Sequence, residues 1–360
     1  MKDVIKEEHQ VRDQLIQVMI DNEWSDMYIT VWAFPAIKIW GEIKDIDEWI
    51  DVLTWKDTLE FAQSIISEKQ HDALVKDRNL DFSFSFHDRR FRANVSFQMW
   101  NYMIVLRLLN SSIPNMDRLG LTEIYRDVCK LGQWLILVTG PTWSWKTTTL
   151  ASMIDYINAN YKKHIITIED PIEYVHKHKR SIVEQKEIGK DVPDYGMALT
   201  GAMRQNPQVI LFWEMRNKKE IEAALTLAET GHLVFSTLHT RSAYQTISRI
   251  VDTFDSSEKD QIRVQLADAM VAIFSQRLLK VQDGSRVEMV KEILVNNTAI
   301  ANLIRWNELH QVPTVIQMGS SEWMQLLEKD IVKLVHNGII SEEEWYKYAN
   351  NPKIIADALQ

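Results

Sequence analysis

The rhythm of apolar and polar positions changes near residue 110, and the change divides the chain in two. In the first part Val4, Ile5, Val11, Leu15, Ile16 and Met19 recur at roughly helical spacing, which predicts an amphipathic helix over 1–20. Short extended pieces follow between Met27 and Ile43 (MYITV, AIKIW), then helical stretches around 56–75. From Leu80 to Phe97 the alternation is that of two strands. Phe82, Phe84 and Phe86 share one face of the first, Phe91, Ala93, Val95 and Phe97 one face of the second, and HDRR forms the turn. This predicts a small α+β domain over 1–110. The Ser, Pro, Asn and Gly content of SSIPNMDRLG marks a linker, placed at 111–118.

Beyond the linker, over 119–360, the apolar runs are short and almost unbroken: LILVT (135–139), IITI (165–168), VILF (209–212) and LVFST (233–237). Strands of that kind are buried on both faces, as in a parallel sheet covered by helices. Helical stripes lie between them, Leu150, Met153, Ile154 and Ile157 in one and Ile221, Ala224, Leu225 and Ala228 in another. After about residue 256 the pattern reads as mostly helical. Ile262, Leu266, Ala269, Met270 and Ile273 make one stripe, Met324, Leu327, Ile331 and Leu334 the next.

Composition narrows the function. A net charge of -9 argues against a generally basic nucleic-acid coat, and one cysteine in 360 residues excludes a disulfide framework or a Cys-rich metal site. No apolar run reaches the length of a membrane span, and the first residues lack a signal-peptide core, so a cytosolic protein is expected. Two counts are unusual: eleven glycines and thirteen tryptophans. Their total of 24 is close to the glycine content expected by itself in a chain of this length, about 7%.

The sharpest chemical signal is LILVTGPTWSWKTTTL at 135–150. An apolar strand runs into Gly140 and a helix begins near Lys146, with Thr147 next. That spacing fits G-x-x-x-x-G-K-[ST], in which backbone N–H groups and a helix start cradle phosphate, lysine neutralises it and a hydroxyl meets magnesium. Pro141, Thr142, Trp143, Ser144, Trp145 and Thr148 complete the candidate loop, but Trp145 stands where the second glycine belongs. The plainer alternative is a lysine that opens a surface helix. Glu169 and Asp170 end the strand IITI at the edge where parallel sheets place ligands, and a carboxylate there can hold magnesium. Capping acids before Pro171 are the alternative. His232 and His239 are seven apart around LVFSTL, an odd separation that puts them on opposite faces of a strand and argues against a shared metal.

These segments, taken in order, resemble the PilT-like retraction ATPases of type IV pili, members of the secretion ATPase superfamily of hexameric P-loop motors. The resemblance rests on four stretches: 140–151, ITIEDPIEYVH (166–176), MRQNPQVILFWEMRN (203–217) and ETGHLVFSTLHTRSA (229–243). It implies a RecA-like P-loop ATPase core of α/β class, a smaller amino-terminal α+β (PAS-like) domain and a helical carboxy-terminal region. It implies ATP and Mg2+ as cofactors, with Glu214, Glu169 and Lys146 catalytic and Thr147, Glu169 and Glu214 toward the metal. Glu214 fills the Walker B position and would activate the attacking water. His232 and His239 would sense nucleotide, and Asp170 would bind it, with Arg90, Arg92 and Arg107 of the first domain reaching it at domain and subunit interfaces. Arg216 is either a phosphate contact or a salt-bridge partner.

A homo-hexamer docked from the cytoplasm on an inner-membrane pilus platform protein is implied, with no nucleic acid and no membrane span. Pilus retraction (twitching motility) is the implied task. TAIANLIR (298–305) resembles a motif associated with retraction and departs from it at Ala301, where the motif has arginine. An assembly-type ATPase and a non-catalytic relative blocked by its tryptophans are the alternatives. Against the resembling motifs, Trp24, Trp40, Trp134, Trp143, Trp145, Trp213, Trp306 and Trp323 stand at or beside glycine positions. A single cause would account for this: UGA codons that the source organism reads as glycine, translated as tryptophan.

Overall fold

The computed structural model describes residues 10–22, 24–39, 42–46, 50–109 and 112–359. Val4 and Ile5 of the predicted first helix, and the turn at Trp40, lie outside the described residues. The chain divides into two compact units, 1–112 with 171–175, and 113–170 with 176–360.

The first unit is built on an antiparallel six-stranded sheet in the order β3-β2-β1-β6-β5-β4. Helix α1 (Gln10–Asp21) precedes β1 (Asp26–Ile29), β2 (Ala36–Ile39) and β3 (Glu42–Asp45); α2 (Trp55–Ile65) and α3 (Glu68–Asp77) then precede β4 (Asn79–Phe86), β5 (Arg89–Gln98) and β6 (Asn101–Leu109). Both α2 and α3 start on a capping box, Thr54 with Asp57 and Ser67 with Gln70, which satisfies two end donors at each. Leu15, Ile16, Met19, Phe61 and Leu74 cover the sheet face that presents Phe91, Ala93, Val95, Ile104 and Leu106. The turn predicted as HDRR is shorter: Arg89 and Arg90 already pair in the ladder, opposite Phe86 and Ser85.

In the second unit, α4 (Glu123–Cys129) and β7 (Trp134–Thr139) lead into α5 (Lys146–Asn160), β8 (His164–Glu169), β9 (Ile182–Glu187), α6 (Tyr195–Met203) and β10 (Val209–Phe212). Then come α7 (Lys218–Glu229), β11 (Leu233–Leu238), α8 (Ala243–Asp252), α9 (Lys259–Ala269), β12 (Met270–Lys280) and β13 (Val287–Val295). The chain closes with α10 (Thr298–Arg305), α11 (Val312–Met318), α12 (Leu327–His336), α13 (Glu342–Tyr348) and α14 (Pro352–Leu359). The sheet order is β13-β12-β7-β11-β10-β8-β9, parallel except for β13. Leu135 and Leu137 face one buried layer and Ile136 and Val138 the other, which is why these strands read as unbroken apolar runs. Cys129 is fully buried against Met153, and burial pushes its thiol far up from the ordinary value.

The helical reading beyond 256 is corrected at one place. Helix α9 stops at Ala269, and Met270 and Ile273 belong to strand β12, which with β13 completes the sheet. VAIFSQRLL is buried on both faces, so its apolar residues carry no period that separates strand from helix.

Tryptophan occupies backbone that glycine ordinarily fills. Eleven described non-glycine residues have a left-handed φ, and six of them are tryptophan: Trp32, Trp100, Trp134, Trp143, Trp145 and Trp323. At the β5–β6 turn both central residues, Met99 (φ 47°) and Trp100 (φ 68°), are left-handed, as a tight two-residue hairpin demands. The indole of Trp100 packs on nothing that would repay the strain, being 88% exposed. Trp24 and Trp213 are not left-handed and Trp306 has φ -87°, so backbone conformation asks for no glycine at those three predicted positions. Trp32 and Trp100 were not singled out by the motifs. Trp345, by contrast, is buried with Leu279, Val290 and Ile331 as an ordinary core residue.

Candidate functional site

Strand β7 delivers the chain to Gly140 at the carboxyl edge of the sheet. A Cβ there would lie 2.3 Å from the Gln276 carbonyl oxygen, so only glycine fits. Trp143 (φ 66°) and Trp145 (φ 60°) both turn left-handed, and α5 starts at Lys146. This is the backbone of a phosphate loop, with the helix amides aimed into its hollow. The indoles point away from the core, Trp143 68% and Trp145 39% exposed, so the backbone shape forms without them. Ser144 Oγ donates to the Pro141 carbonyl at 2.7 Å and braces the loop from inside. Lys146 is buried, and its Nζ donates to the Gly140 and Pro141 carbonyls at 3.0 and 2.9 Å. Thr147 and Thr148 are half-buried in the first helical turn.

Two neighbouring strands end at the same edge and bring chemistry to the lysine. His239, just past β11, places Nδ1 3.5 Å from Lys146 Nζ and Nε2 3.5 Å from Glu214 Oε1. Burial and the adjacent Lys146 hold its imidazole below the ordinary range, and Glu214 opposes them. Glu214, just past β10, also accepts from Arg216 Nε at 2.8 Å, and Arg216 Nη1 lies 3.6 Å from Asp170 Oδ2. Lys146, His239, Glu214, Arg216 and Asp170 therefore form one line of charged and titratable groups across the carboxyl edge. Such a line can hold an anion at one end and orient water at the other. Arg216 serves as the salt-bridge partner within this chain.

The remaining candidates lie as follows. Glu169 ends β8 and is buried; one carboxylate oxygen accepts from Thr167 Oγ1 at 2.6 Å and from Gln185 Nε2 at 3.1 Å. His232 precedes β11, where its carbonyl accepts from Trp134 N and its Nδ1 lies 3.0 Å from the Leu227 carbonyl. It sits at the amino edge of the sheet, a six-residue strand or roughly 20 Å from His239, so this chain does not bring the two together. In the first unit, Arg92 and Arg107 face each other across β5 and β6. Arg92 pairs with Asp81, Arg107 Nε with Asp26 Oδ1 at 2.8 Å, and Arg90 donates to Ser83 Oγ and to the Ile172 carbonyl at 2.6 and 2.7 Å.

The pattern of a known family, described as "Type II/IV secretion system protein", matches residues 66–303. The chain belongs to that family. It is 39% identical to "Type IV pilus retractation ATPase PilT" of Pseudomonas aeruginosa over 330 residues, 91% of this chain and 95% of that protein. A solved structure described as "Crystal Structure of the Pilus Retraction Motor PilT and Bound ADP" superposes with a TM-score of 0.89 at 43% identity, covering 96% of this chain and 98% of that one. The assembly ATPase PilB of the same organism is 38% identical, but over only 45% of this chain and 29% of its own length. Within the secretion ATPase family this chain is a P-loop ATPase with close homology to the retraction type, and the expected RecA-like core is present. Among the described residues no helix is long and apolar enough to cross a membrane.

Sequence reasoning missed two residues that shape the site. Gln185 holds Glu169, and Gln276 holds the loop from β12. An amide inside the apolar run VAIFSQRLL was the available signal, hidden once that run was read as helix.

Proposed function

We propose that the chain is the ATP-hydrolysing subunit of a ring motor that retracts a type IV pilus. The observation that carries this reading is the convergence of Lys146, His239 and Glu214 beside a phosphate-loop backbone. Lys146 would turn from the loop carbonyls to the β- and γ-phosphates, and Thr147 would offer its hydroxyl to Mg2+. Glu169 and Glu214 would hold the ion or its waters. Among the described residues no three His, Cys, Asp or Glu side chains gather as a metal cage. That suits Mg2+, which needs few protein ligands because phosphate and water supply the rest. Glu214 would take the proton of the attacking water and His239 would pass the phosphate state to β11.

Arg90, Arg92, Arg107 and His232 act, on this reading, across a boundary with a neighbouring copy in a hexamer, which would dock on a membrane platform protein. Residues 111–118 would be the hinge between a domain over 1–110 and the ATPase domain over 119–360. The span of similarity favours retraction over assembly, since it runs nearly end to end with PilT but covers under a third of PilB.

The loop also requires glycine at 143 and 145, supplied by UGA codons read as glycine in the source organism. Peptide mass spectrometry of the native protein should find glycine at both positions. Tryptophan there would overturn the glycine assignment and favour a non-catalytic relative. ATPase assays on the glycine form test the function itself: magnesium-dependent turnover that vanishes in Lys146→Ala is expected, and no turnover in a folded ring would refute it.

A further inference from the structure

Strand β12 lies beside β7, with Phe274 and Leu279 fully buried, and between the buried Ser275 and Arg277 it carries an amide at Gln276 that is 1% exposed. A buried amide is costly unless both its ends are used, and a leucine would fill the position without that cost. Both ends are used on one target. Gln276 Nε2 donates to the Ser144 carbonyl in the middle of the phosphate loop. Gln276 Oε1 accepts from Thr149 Oγ1, in the first turn of α5, at 3.0 Å. Its own main-chain carbonyl sets the closest limit at Gly140, the loop's first residue. One residue, more than 120 positions away in sequence, thus touches the loop at its start, its middle and the helix that follows it.

We propose that Gln276 is the positioning residue that fixes the shape of the phosphate loop. Of the loop's other braces, Gly140 N donates to the Leu238 carbonyl of β11 at 3.3 Å, while Ser144 Oγ on Pro141 and Lys146 on the Gly140 and Pro141 carbonyls lie within the loop. Lys146 must release those carbonyls to meet a phosphate, which removes two of the braces at the moment of binding. Gln276 does not depend on the ligand. By holding the Ser144 carbonyl outward it keeps the adjacent peptide N–H groups turned into the hollow, between Trp143 and Trp145, whose left-handed φ the loop must hold against strain. This rests on the ATPase reading for its consequence and on the contacts alone for the loop's shape.

The test is Gln276→Leu in the full chain with glycine at 143 and 145, read by nucleotide affinity with a fluorescent ATP analogue, by steady-state ATPase kinetics and by hydrogen exchange of the 140–149 amides. A buried carbonyl left without its donor and a loosened loop should raise Kd and KM for ATP about tenfold or more. Turnover at saturation should fall less than about threefold, because ground state and transition state lose the same grip. Exchange at 140–149 should quicken about tenfold while the β10 and β11 amides keep their rates. A Kd within twofold of the parent, or unchanged exchange at 140–149, overturns the proposal. If the leucine variant does not fold, Gln276→Met, close in length but with neither amide end, carries the same expectations. A parent chain that binds no nucleotide would refute the ATPase reading instead, and exchange at 140–149 would then decide the role of Gln276.

Discussion

The loops after β7 and β10 leave the same edge of one sheet, and both carry tryptophan where the resembling motifs carry glycine. They are built on different principles. The β7 loop is shaped by its backbone: Trp143 and Trp145 are left-handed, and Gly140 has no room for a Cβ. The β10 loop is shaped by side chains. Trp213 keeps ordinary backbone, its carbonyl accepts from Thr237 Oγ1, and Glu214 is gripped by Arg216 and His239. A motif records where glycine stood in relatives, whereas φ records where glycine is needed. The division also suggests separate tasks, one loop for holding and the other for chemistry.

The strongest way to break that division is to remove the chemistry alone. Glu214→Gln should cut kcat by about a hundredfold or more, within the range of a lost general base, while ATP affinity changes less than about threefold. Parallel losses in both quantities, as expected for Lys146→Ala, would place Glu214 in the holding loop instead. Next in size is the backbone of the first loop. Replacing Trp143 and Trp145 together by glycine should relieve about 1–2 kcal/mol at each left-handed position, raising the melting temperature and tightening nucleotide binding about tenfold or more. A stability equal to that of the tryptophan chain would show that the indoles compensate for the strain.

A third test lies beside the site. Glu292 of β13 is buried, its Oε1 accepts from Ala243 N at 2.6 Å, and burial raises its carboxyl to about 7. Arg277 of β12, Glu328 of α12 and Asn350 after α13 are its charged and polar neighbours. The folded chain therefore holds a proton that the unfolded chain releases near 4.5, and the stability this provides is lost as pH rises through about 7. Urea denaturation should show Glu292→Gln flattening the decline between pH 6 and 8, by roughly 1–2 kcal/mol. The opposite sign belongs to the second loop: Trp213→Gly relieves no strain, removes a half-buried indole packed on the core and frees the unfolded chain, and should cost about 1–3 kcal/mol. A gain matching that at Trp145 would erase the contrast between the loops.

Much of this was legible beforehand, for physical reasons. The runs LILVT, IITI, VILF and LVFST became β7, β8, β10 and β11 because both faces of a parallel strand are buried, and the lysine loop followed the first of them. Of the two parallel strands not read, β9 and β12, the second was hidden because its apolar residues extend the stripe of α9 without a break. Strand β6 carries no turn residue except at its start, where tryptophan masks the glycine-like position of a tight hairpin. The line from Lys146 to Asp170 depends on which strands are neighbours in the sheet, and spacing along the chain does not encode that. His232 and His239 bracket LVFSTL in the sequence, and their places at the two ends of β11 follow from that.

Cys129 offers a last consequence. It is the one thiol in 360 residues, fully buried, and its raised pKa leaves almost no thiolate to react. The chain is thus chemically silent toward maleimides without any mutation. A cysteine placed at an exposed site in each of the two units would accept a pair of dyes cleanly, and the distance between them could be followed while the protein turns over its fuel.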